Sequence, residues 1–310
     1  NLKGKKTHLH STRLVLEVLQ SSINRNFCSH KEFQSSIQVC ILGAYTPLGR
    51  STSFLLKQNP LFSVLKIHGE QNVKNLAVDL NFIDTRCKVQ PYEGIKEIPR
   101  AIRSADIVVI LGKDELPEDA SLVDRVTDEG KRIYDIAREC ITYAPRAILL
   151  VCAKPVSVTT EIVERVFKES YWYHPGRIVG SAALAQVKAN TLLGRFQDLN
   201  PRHCNVPLVG GPDVDLAVPL FNGYVRCNLL EACRHLVTTV RFSRGGIVDN
   251  CGIPHMSKLE LELLEKVALE IQRRERMAKG FIESIEDGKS QPFNMREMEK
   301  KAKIDQKAKL

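Results

Sequence analysis

Short runs of apolar residues alternate along the chain with longer segments in which apolar residues recur three and four positions apart. The runs at 37–42, 106–111 and 147–152 are too short for helices. Unbroken apolar runs of this length are typical of strands buried on both faces of a parallel sheet. Segments between them, such as 119–143, have helical spacing. This alternation predicts an α/β fold with a doubly wound parallel sheet.

The pattern changes after residue 182. A predicted helix at 182–199 precedes short apolar segments and a mixed segment at 225–242 that favours antiparallel strands. A long predicted helix begins at Ser257, where Ser257 and Glu260 form a capping box by satisfying each other's backbone N–H groups. These features predict a second, smaller α+β region that ends in a long helix.

The turn after the first predicted strand has most of a dinucleotide-binding motif. Gly43 and Gly49 bracket this turn, and a strand that leads through a glycine turn into a helix is how a dinucleotide-binding βαβ unit begins. N–H groups at the start of such a helix can hold a pyrophosphate. The middle glycine of the motif is replaced by Thr46, followed by Pro47, where the backbone must come close to phosphate. We therefore interpret Gly43 and Gly49 as vestigial cofactor-binding positions.

Composition places the chain among ordinary globular proteins. It has 310 residues, of which 43% are hydrophobic and 26% are charged, enough for one large or two medium domains. No apolar run approaches the roughly 20 residues that a membrane-spanning helix needs. The nine cysteines are odd in number and include no Cys-x-x-Cys pair. They predict free thiols in a reducing compartment, with neither a disulfide framework nor a metal site.

The net charge of +9 is concentrated at the two ends of the chain. Residues 1–36 hold six Lys and Arg against two acids, and residues 296–310 hold six against three, which leaves about +2 for the middle. Basic ends on a nearly neutral core predict contact with an acidic partner. The alternative is that both ends are simply solvated termini.

The first 36 residues are poor in acids and rich in Ser, Arg, Lys and His. This composition resembles a mitochondrial transit peptide and predicts a mitochondrial location by ancestry. The alternative is a cytoplasmic or cytoskeletal location, in which the basic ends contact an acidic filament such as a microtubule. A segment of this kind is normally removed on import, so its cleavage is left open.

Several segments of the chain resemble the lactate/malate dehydrogenase family, and mitochondrial-type malate dehydrogenases in particular. AVDLNFIDTR at 77–86 and NVPLVGG at 205–211 carry the most specific likeness. Further likeness lies at 55–67, 104–112 and 245–253, so the resemblance extends from about residue 39 to about residue 285. It implies an N-terminal Rossmann domain that binds NAD and a C-terminal α+β substrate domain. It also implies assembly as a dimer or a dimer of dimers.

The resemblance and the charge pattern together predict four parts. Residues 1–36 form a basic N-terminal extension, and residues 37–181 form a Rossmann-type dinucleotide-binding-like domain. Residues 182–286 form a shortened substrate-like domain that ends in the long helix, and residues 287–310 form a basic tail. Compared with the family, the chain lacks roughly sixty residues after residue 223. Either these residues are deleted or a segment is missing from the sequence.

Four positions of the family's chemistry carry unsuitable residues here. In the family, a histidine accepts the hydroxyl proton while hydride passes to nicotinamide, an aspartate orients that histidine, and arginines clamp the substrate carboxylates. The resemblance places Pro212 at the histidine position and Ala185 at the aspartate position. Lys188 stands for an arginine, and Lys154 for the first asparagine of the family's Asn-Pro-Val-Asn sequence.

Two further family features are altered. The mobile active-site loop corresponds to residues 113–123, which contain four acids and no arginine, so they would repel a dicarboxylate. The ribose-binding aspartate corresponds to Gly69, although Glu70 could serve if the register shifts by one residue. Loss of a catalytic base and its orienting residue costs on the order of 10⁴-fold in rate.

These losses predict a catalytically inactive malate dehydrogenase-like protein with a structural or scaffolding role in a larger assembly. No catalytic residue and no bound cofactor are expected, and a homodimer is compatible with the resemblance. The basic tails lack interleaved aromatic residues, which disfavours nucleic acid as the partner.

Two alternatives stay open. One is an NAD-dependent malate dehydrogenase with an altered active site, for which His203 and His235 are the candidate bases. The other is a regulator that binds NAD without chemistry.

Overall fold

The computed structural model describes residues 37–113, 120–220, 240–243, 246–250 and 256–286. The basic extension 1–36, the tail 287–310, His235 and the predicted discontinuity after residue 223 lie outside this described part. The elements of the first half are β1 (Ile37–Leu42), α1 (Pro47–Lys57), β2 (Phe62–Gly69), α2 (Val73–Asn81), β3 (Lys88–Glu93), α3 (Ile98–Ile102), β4 (Ile107–Ile110), α4 (Leu122–Tyr143), β5 (Ile148–Val151), α5 (Val156–Lys168) and β6 (Ile178–Gly180).

These six strands form one parallel sheet in the order β3-β2-β1-β4-β5-β6. Cys40 at the centre of β1 lies opposite Lys66 of β2 and Val108 of β4. The chain crosses over between β3 and β4, so the strand order reverses on either side of β1. This confirms the predicted α/β class and the doubly wound, Rossmann-type sheet. In such sheets, ligands bind at the carboxyl ends of the strands where the order reverses.

Alternate side chains of the central strand enter two different apolar clusters. Val39 and Ile41 belong to the cluster that contains residues of α1 and α2. Cys40 and Leu42 belong to the cluster that contains residues of α3, α4 and α5. Both faces of β1 are therefore covered, which explains why its sequence is an unbroken apolar run rather than an alternating one.

The second half of the chain contains α6 (Ala183–Phe196), β7 (Leu208–Gly210), β8 (Ala217–Pro219), β9 (Val240–Ser243), β10 (Gly246–Asn250) and α7 (Lys258–Glu286). Strands β7 and β8 pair in antiparallel fashion, as do β9 and β10. The antiparallel strands predicted within 225–242 are confirmed at β9, and the rest of that segment lies outside the described residues.

Helix α7 packs back onto the helices that cover the parallel sheet. Its Phe281 ring contacts Gly130 of α4, where a Cβ atom would lie 2.5 Å from Phe281 Cε1. The predicted capping box is confirmed, since Ser257 N–H donates to Glu260 Oε2 at 2.6 Å and Glu260 N–H donates to Ser257 Oγ at 3.3 Å. The long helix thus ties the C-terminal part of the chain to the sheet.

The structure differs from the sequence-based expectations in three details. Strand β6 was not predicted, because a strand of three residues leaves no apolar run. The sequence predicts helix starts at Ala77 and Thr160, but α2 and α5 each begin four residues earlier, at Val73 and Val156. The apolar run 54–56 predicts that Phe54 points inward. Phe54 is instead 50% exposed, because α1 buries the face that carries Gly49, Ser53 and Leu56.

Two further sequence-based expectations, on membrane-spanning helices and on free cysteines, concern the described residues. None of their helices is long and apolar enough to span a bilayer. The five described cysteines are free, as expected from their scattered positions: Cys40, Cys87, Cys140, Cys152 and Cys204.

Candidate functional site

Both glycines of the turn after β1 are required by the backbone itself. Gly43 has a φ of +95°, which disfavours any residue with a side chain. At Gly49, a Cβ atom would lie 2.2 Å from the carbonyl oxygen of Gly43. Close packing of α1 on the turn therefore explains Gly49, whether or not a cofactor binds.

Thr46 closes this turn by capping α1. Its Oγ1 accepts the N–H of Gly49 at 3.0 Å, and its hydroxyl donates to the carbonyl oxygen of Gly43 at 3.0 Å. Pro47, the first residue of the helix, has no N–H to offer. The N–H of Gly43 donates to the carbonyl oxygen of His68 at 3.1 Å. At this helix start, the N–H groups of Gly43 and Gly49 are thus engaged within the protein, and Pro47 has none.

The end of β2 has no room for a ribose-binding side chain. A Cβ atom at Gly69 would lie 2.5 Å from Val73 Cγ2 and 2.9 Å from Tyr45 Cδ1. Tyr45 belongs to the glycine turn, and its ring fills the space into which residue 69 would project. Glu70, the out-of-register alternative, is exposed. Together with the capped turn, this arrangement fits a dinucleotide poorly.

His68 is the histidine that the fold places beside this turn, and the sequence did not suggest it. The residue is buried, and its Nε2 lies 3.0 Å from the carbonyl oxygen of Gly94. Because a carbonyl can only accept, Nε2 carries the proton. Burial lowers the pKa of His68, the Gly94 hydrogen bond opposes this, and the positive charge of Arg132 lowers the pKa further.

Glu129 and Arg132 of α4 brace the segment that follows β4. Glu129 is buried, and its Oε2 pairs with Arg132 Nε at 2.7 Å. The other carboxylate oxygen accepts the N–H of Lys113, and Arg132 Nη2 donates to the carbonyl oxygen of Leu111 at 2.6 Å. A charged pair therefore stabilises the carboxyl end of β4 at the centre of the sheet edge where this fold binds ligands.

The structure places the four predicted degenerate positions in different environments. Pro212 is buried in the hairpin between β7 and β8. Ala185 is buried on α6 in an apolar cluster with Val206 and Leu208, the residues that lead into β7. Lys188 and Lys154 are both exposed. Helix α6 and β7 are thus brought together by apolar packing, with no titratable side chain at residue 185 or 212.

Asp213, next to Pro212, was missed by the sequence analysis and occupies the start of α5. Its Oδ1 accepts the N–H of Val156 at 2.8 Å, and its Oδ2 accepts the N–H and the hydroxyl of Ser157 at 3.0 and 2.5 Å. Arg274 Nη1 donates to the same Oδ2 at 3.0 Å. The carboxylate of Asp213 therefore caps α5 and neutralises the buried guanidinium of Arg274.

Arg274 connects α7 to this hairpin. Its Nη2 donates to Asp215, and its Nε donates to Glu270 at 3.3 Å. Burial alone would lower the pKa of Arg274, but Asp215, Asp213 and Glu270 outweigh it and raise that pKa. The signal that sequence reasoning overlooked is its position, because Arg274 falls on the otherwise apolar stripe of α7 between Ile271 and Met277.

The remaining candidates do not join this group. His203 is exposed in the short helical turn Pro201–His203, and His235 lies outside the described residues. Of the acidic loop 113–123, residues 114–119 also lie outside them. In the parts of the chain that the structure describes, no three His, Cys, Asp or Glu side chains are grouped as metal ligands.

Comparisons with known proteins cover most of the described chain. Residues 37–180 match the family model described as lactate/malate dehydrogenase, NAD binding domain. Mitochondrial malate dehydrogenase of Mus musculus is 30% identical over 202 residues, which cover 65% of this chain and 59% of the mouse protein. Glyoxysomal malate dehydrogenase of Cucumis sativus is 32% identical over 224 residues, which cover 69% of this chain and 60% of that protein. The matched part thus spans about three fifths of the length of these relatives.

The solved structures include a similar fold. The malate dehydrogenase from Picrophilus torridus in its apo form superimposes with a TM-score of 0.64 at 10% identity. The match covers 80% of this chain and 99% of that chain. At this identity the likeness concerns the fold alone.

Proposed function

Because the chain is a member of the lactate/malate dehydrogenase family, we propose that it is a catalytically inactive member with a structural or scaffolding role in a larger assembly. The proposal separates the family's fold, which this chain retains, from the family's chemistry, which depends on a few side chains. The six-stranded sheet and its two apolar layers supply a rigid body of the kind that a scaffold requires.

One observation carries the proposal. The position after Gly210-Gly211 is Pro212, which cannot accept a proton. The carboxylate of the next residue, Asp213, is hydrogen-bonded to the start of α5 and to Arg274. The aspartate that would orient a histidine is Ala185, which packs against Leu208 in an apolar cluster. Proton transfer from a substrate hydroxyl therefore has no acceptor at the positions that the family uses.

We expect NAD to bind weakly or not at all. Thr46 and Pro47 replace the open glycine backbone of the phosphate turn, and the Tyr45 ring fills the space beside Gly69. Because a ligand stabilises the folded state only when it binds, NADH should leave the melting temperature of the protein unchanged. A rise of several degrees with NADH would instead favour a regulator that retains the cofactor.

The partner proposed here is a protein with an acidic surface that the basic ends contact. The charge of +4 at residues 1–36 and +3 at residues 296–310 supports this choice. Relatives named mitochondrial support a mitochondrial location, although glyoxysomal relatives also match. The alternative of a cytoskeletal location is supported by the charge of the termini, and a homodimer is supported by the family resemblance.

Pull-down of the intact protein tests the scaffolding role. We expect a stoichiometric protein partner that remains bound at low salt and dissociates as salt rises, since contacts between exposed charges are screened. A version that lacks residues 1–36 and 287–310 should lose most of this partner. Retention of the same partner by the shortened chain would contradict the role assigned to the basic ends.

A further inference from the structure

At the amino ends of β4 and β5, two arginines flank a small cavity. The cavity has a volume of about 290 Å³ and is lined by the segments Arg103–Ala105 and Tyr143–Ala147. These segments precede β4 and β5, so they lie at the sheet edge opposite to the one that carries the glycine turn. Nothing in the proposed loss of catalysis involves this edge.

Aromatic rings hold both guanidinium groups in place. The Arg103 guanidinium lies 5.5 Å from the centre of the Tyr143 ring, and the Arg146 guanidinium lies 5.5 Å from the centre of the Trp172 ring. Such stacking attracts a cation to the face of the ring and leaves the edge of the guanidinium, with its N–H donors, free for another group. Tyr171, next to Trp172, is fully exposed and extends the same surface.

Neither arginine has a negative counterpart in the part of the chain that the structure describes. Their guanidinium groups form no ion pair or hydrogen bond with the described residues, whereas Arg132 and Arg274 are each paired with carboxylates. The nearest acid in sequence is Asp106, whose Oδ2 accepts the N–H of Gln38 at 2.8 Å. The surface is therefore basic and aromatic, and its charge is left for an external anion.

We propose that Arg103 and Arg146, with Tyr143 and Trp172, form a docking site for an acidic segment of a partner protein, with a carboxylate of that segment entering the cavity. Arginine binds carboxylates through parallel N–H donors, and such charge-assisted bonds are among the stronger ones in proteins. One face of each ring is covered by a guanidinium group, which leaves less ring surface on which a nucleic-acid base could stack. A cavity of this volume suits one side chain rather than a polynucleotide. None of the observations at this site depends on whether the protein is catalytically inactive.

Trp172 is the single tryptophan of the chain, so its fluorescence reports directly on this site. We expect a glutamate-rich octapeptide to change the emission of Trp172 saturably in the full-length protein. The double variant Arg103→Gln/Arg146→Gln should weaken this binding by about tenfold or more for each arginine lost. Arg146→Lys keeps the charge but not the planar donors. Its affinity for the peptide should lie between those of the unaltered chain and the double variant.

The matched control is Arg202→Gln/Lys188→Gln, which removes the same two positive charges from exposed positions elsewhere. It should bind the peptide as the unaltered chain does, and circular dichroism should show that all variants are folded. Equal peptide affinity in the Arg103/Arg146 variant and in the Arg202/Lys188 control would overturn the proposal. A single-stranded DNA oligonucleotide that binds at this site in preference to the peptide would also overturn it, because it would identify a different class of partner.

Discussion

Tyr45 packs its ring against Gly69, so that a Cβ atom at position 69 would lie 2.9 Å from Tyr45 Cδ1 and 3.1 Å from Tyr45 Cβ. The glycine turn and the end of β2 are the two places where this family holds its cofactor. Here they contact each other. The small residue at position 69 and the large ring at position 45 form one packed contact at this point.

Restoring an aspartate at position 69 should therefore destabilise the protein rather than restore cofactor binding. Gly69→Asp is expected to cost about 1–3 kcal/mol through overpacking against Tyr45 and Val73. Tyr45→Ala in the same chain should recover part of this loss. Denaturant unfolding measures both effects, with Glu70→Gln at the exposed neighbour as the control. If Gly69→Asp is as stable as the parent, the contact between residues 45 and 69 is not the constraint described.

Lys57 should prove to be a structural residue in spite of its charge. It is 1% exposed, and its Nζ donates to the carbonyl oxygens of Thr85 and Cys87 at 3.1 and 2.6 Å and to Thr85 Oγ1 at 2.6 Å. Lys57→Met would leave these buried acceptors unpaired and should cost about 2–4 kcal/mol in unfolding free energy. Lys74→Met, at an exposed ion pair with Glu93, should change stability by less than about 1 kcal/mol.

The Asp213–Arg274 pair should be the main link between the β7–β8 hairpin and α7. Removing one member leaves the other charge buried, so Arg274→Met is expected to cost about 3 kcal/mol. Arg273→Met, one residue away and more exposed, is the matched control and should cost less than about 1 kcal/mol. Equal effects of the two substitutions on chemical unfolding would show that Arg274 does not hold the hairpin.

Buried His68 should make the protein sensitive to mild acid. Its pKa in the folded chain lies below the ordinary value of 6.5, mainly because burial disfavours the charged form. The unfolded chain therefore binds a proton first, so this contribution to stability is complete above pH 6.5 and is lost as the pH falls toward the folded pKa. Melting temperatures measured across this range should fall less in His68→Asn than in the parent. An identical fall in both proteins would exclude His68 as the cause.

The parts of the fold that could be predicted are those specified locally. The run Ile37–Leu42 is covered on both faces, and such a strand has to be apolar throughout. Ser257 and Glu260 are three residues apart, so the sequence alone predicts that each caps the backbone of the other. The doubly wound parallel sheet followed from the alternation of such strands with helices, although β6 and the order of the strands did not.

The parts that escaped prediction depend on contacts between distant positions. Asp213 and Arg274 are 61 residues apart, and nothing near either residue indicates the other. Tyr45 and Gly69 meet only because β1 and β2 are neighbours in the sheet. At the candidate site, the absence of a base at Pro212 was visible in the sequence through family resemblance. The use of the adjacent carboxylate as a helix cap was not.

A steady-state assay with malate, oxaloacetate and NAD(H) tests the central claim most directly. The account predicts no turnover above that of a mock purification from the same host. Lys188→Ala, at the exposed position that the family uses for a substrate arginine, serves as the internal control. Clear turnover that accompanies the purified chain and falls in Lys188→Ala would contradict the account, because it would show an active dehydrogenase with an altered site.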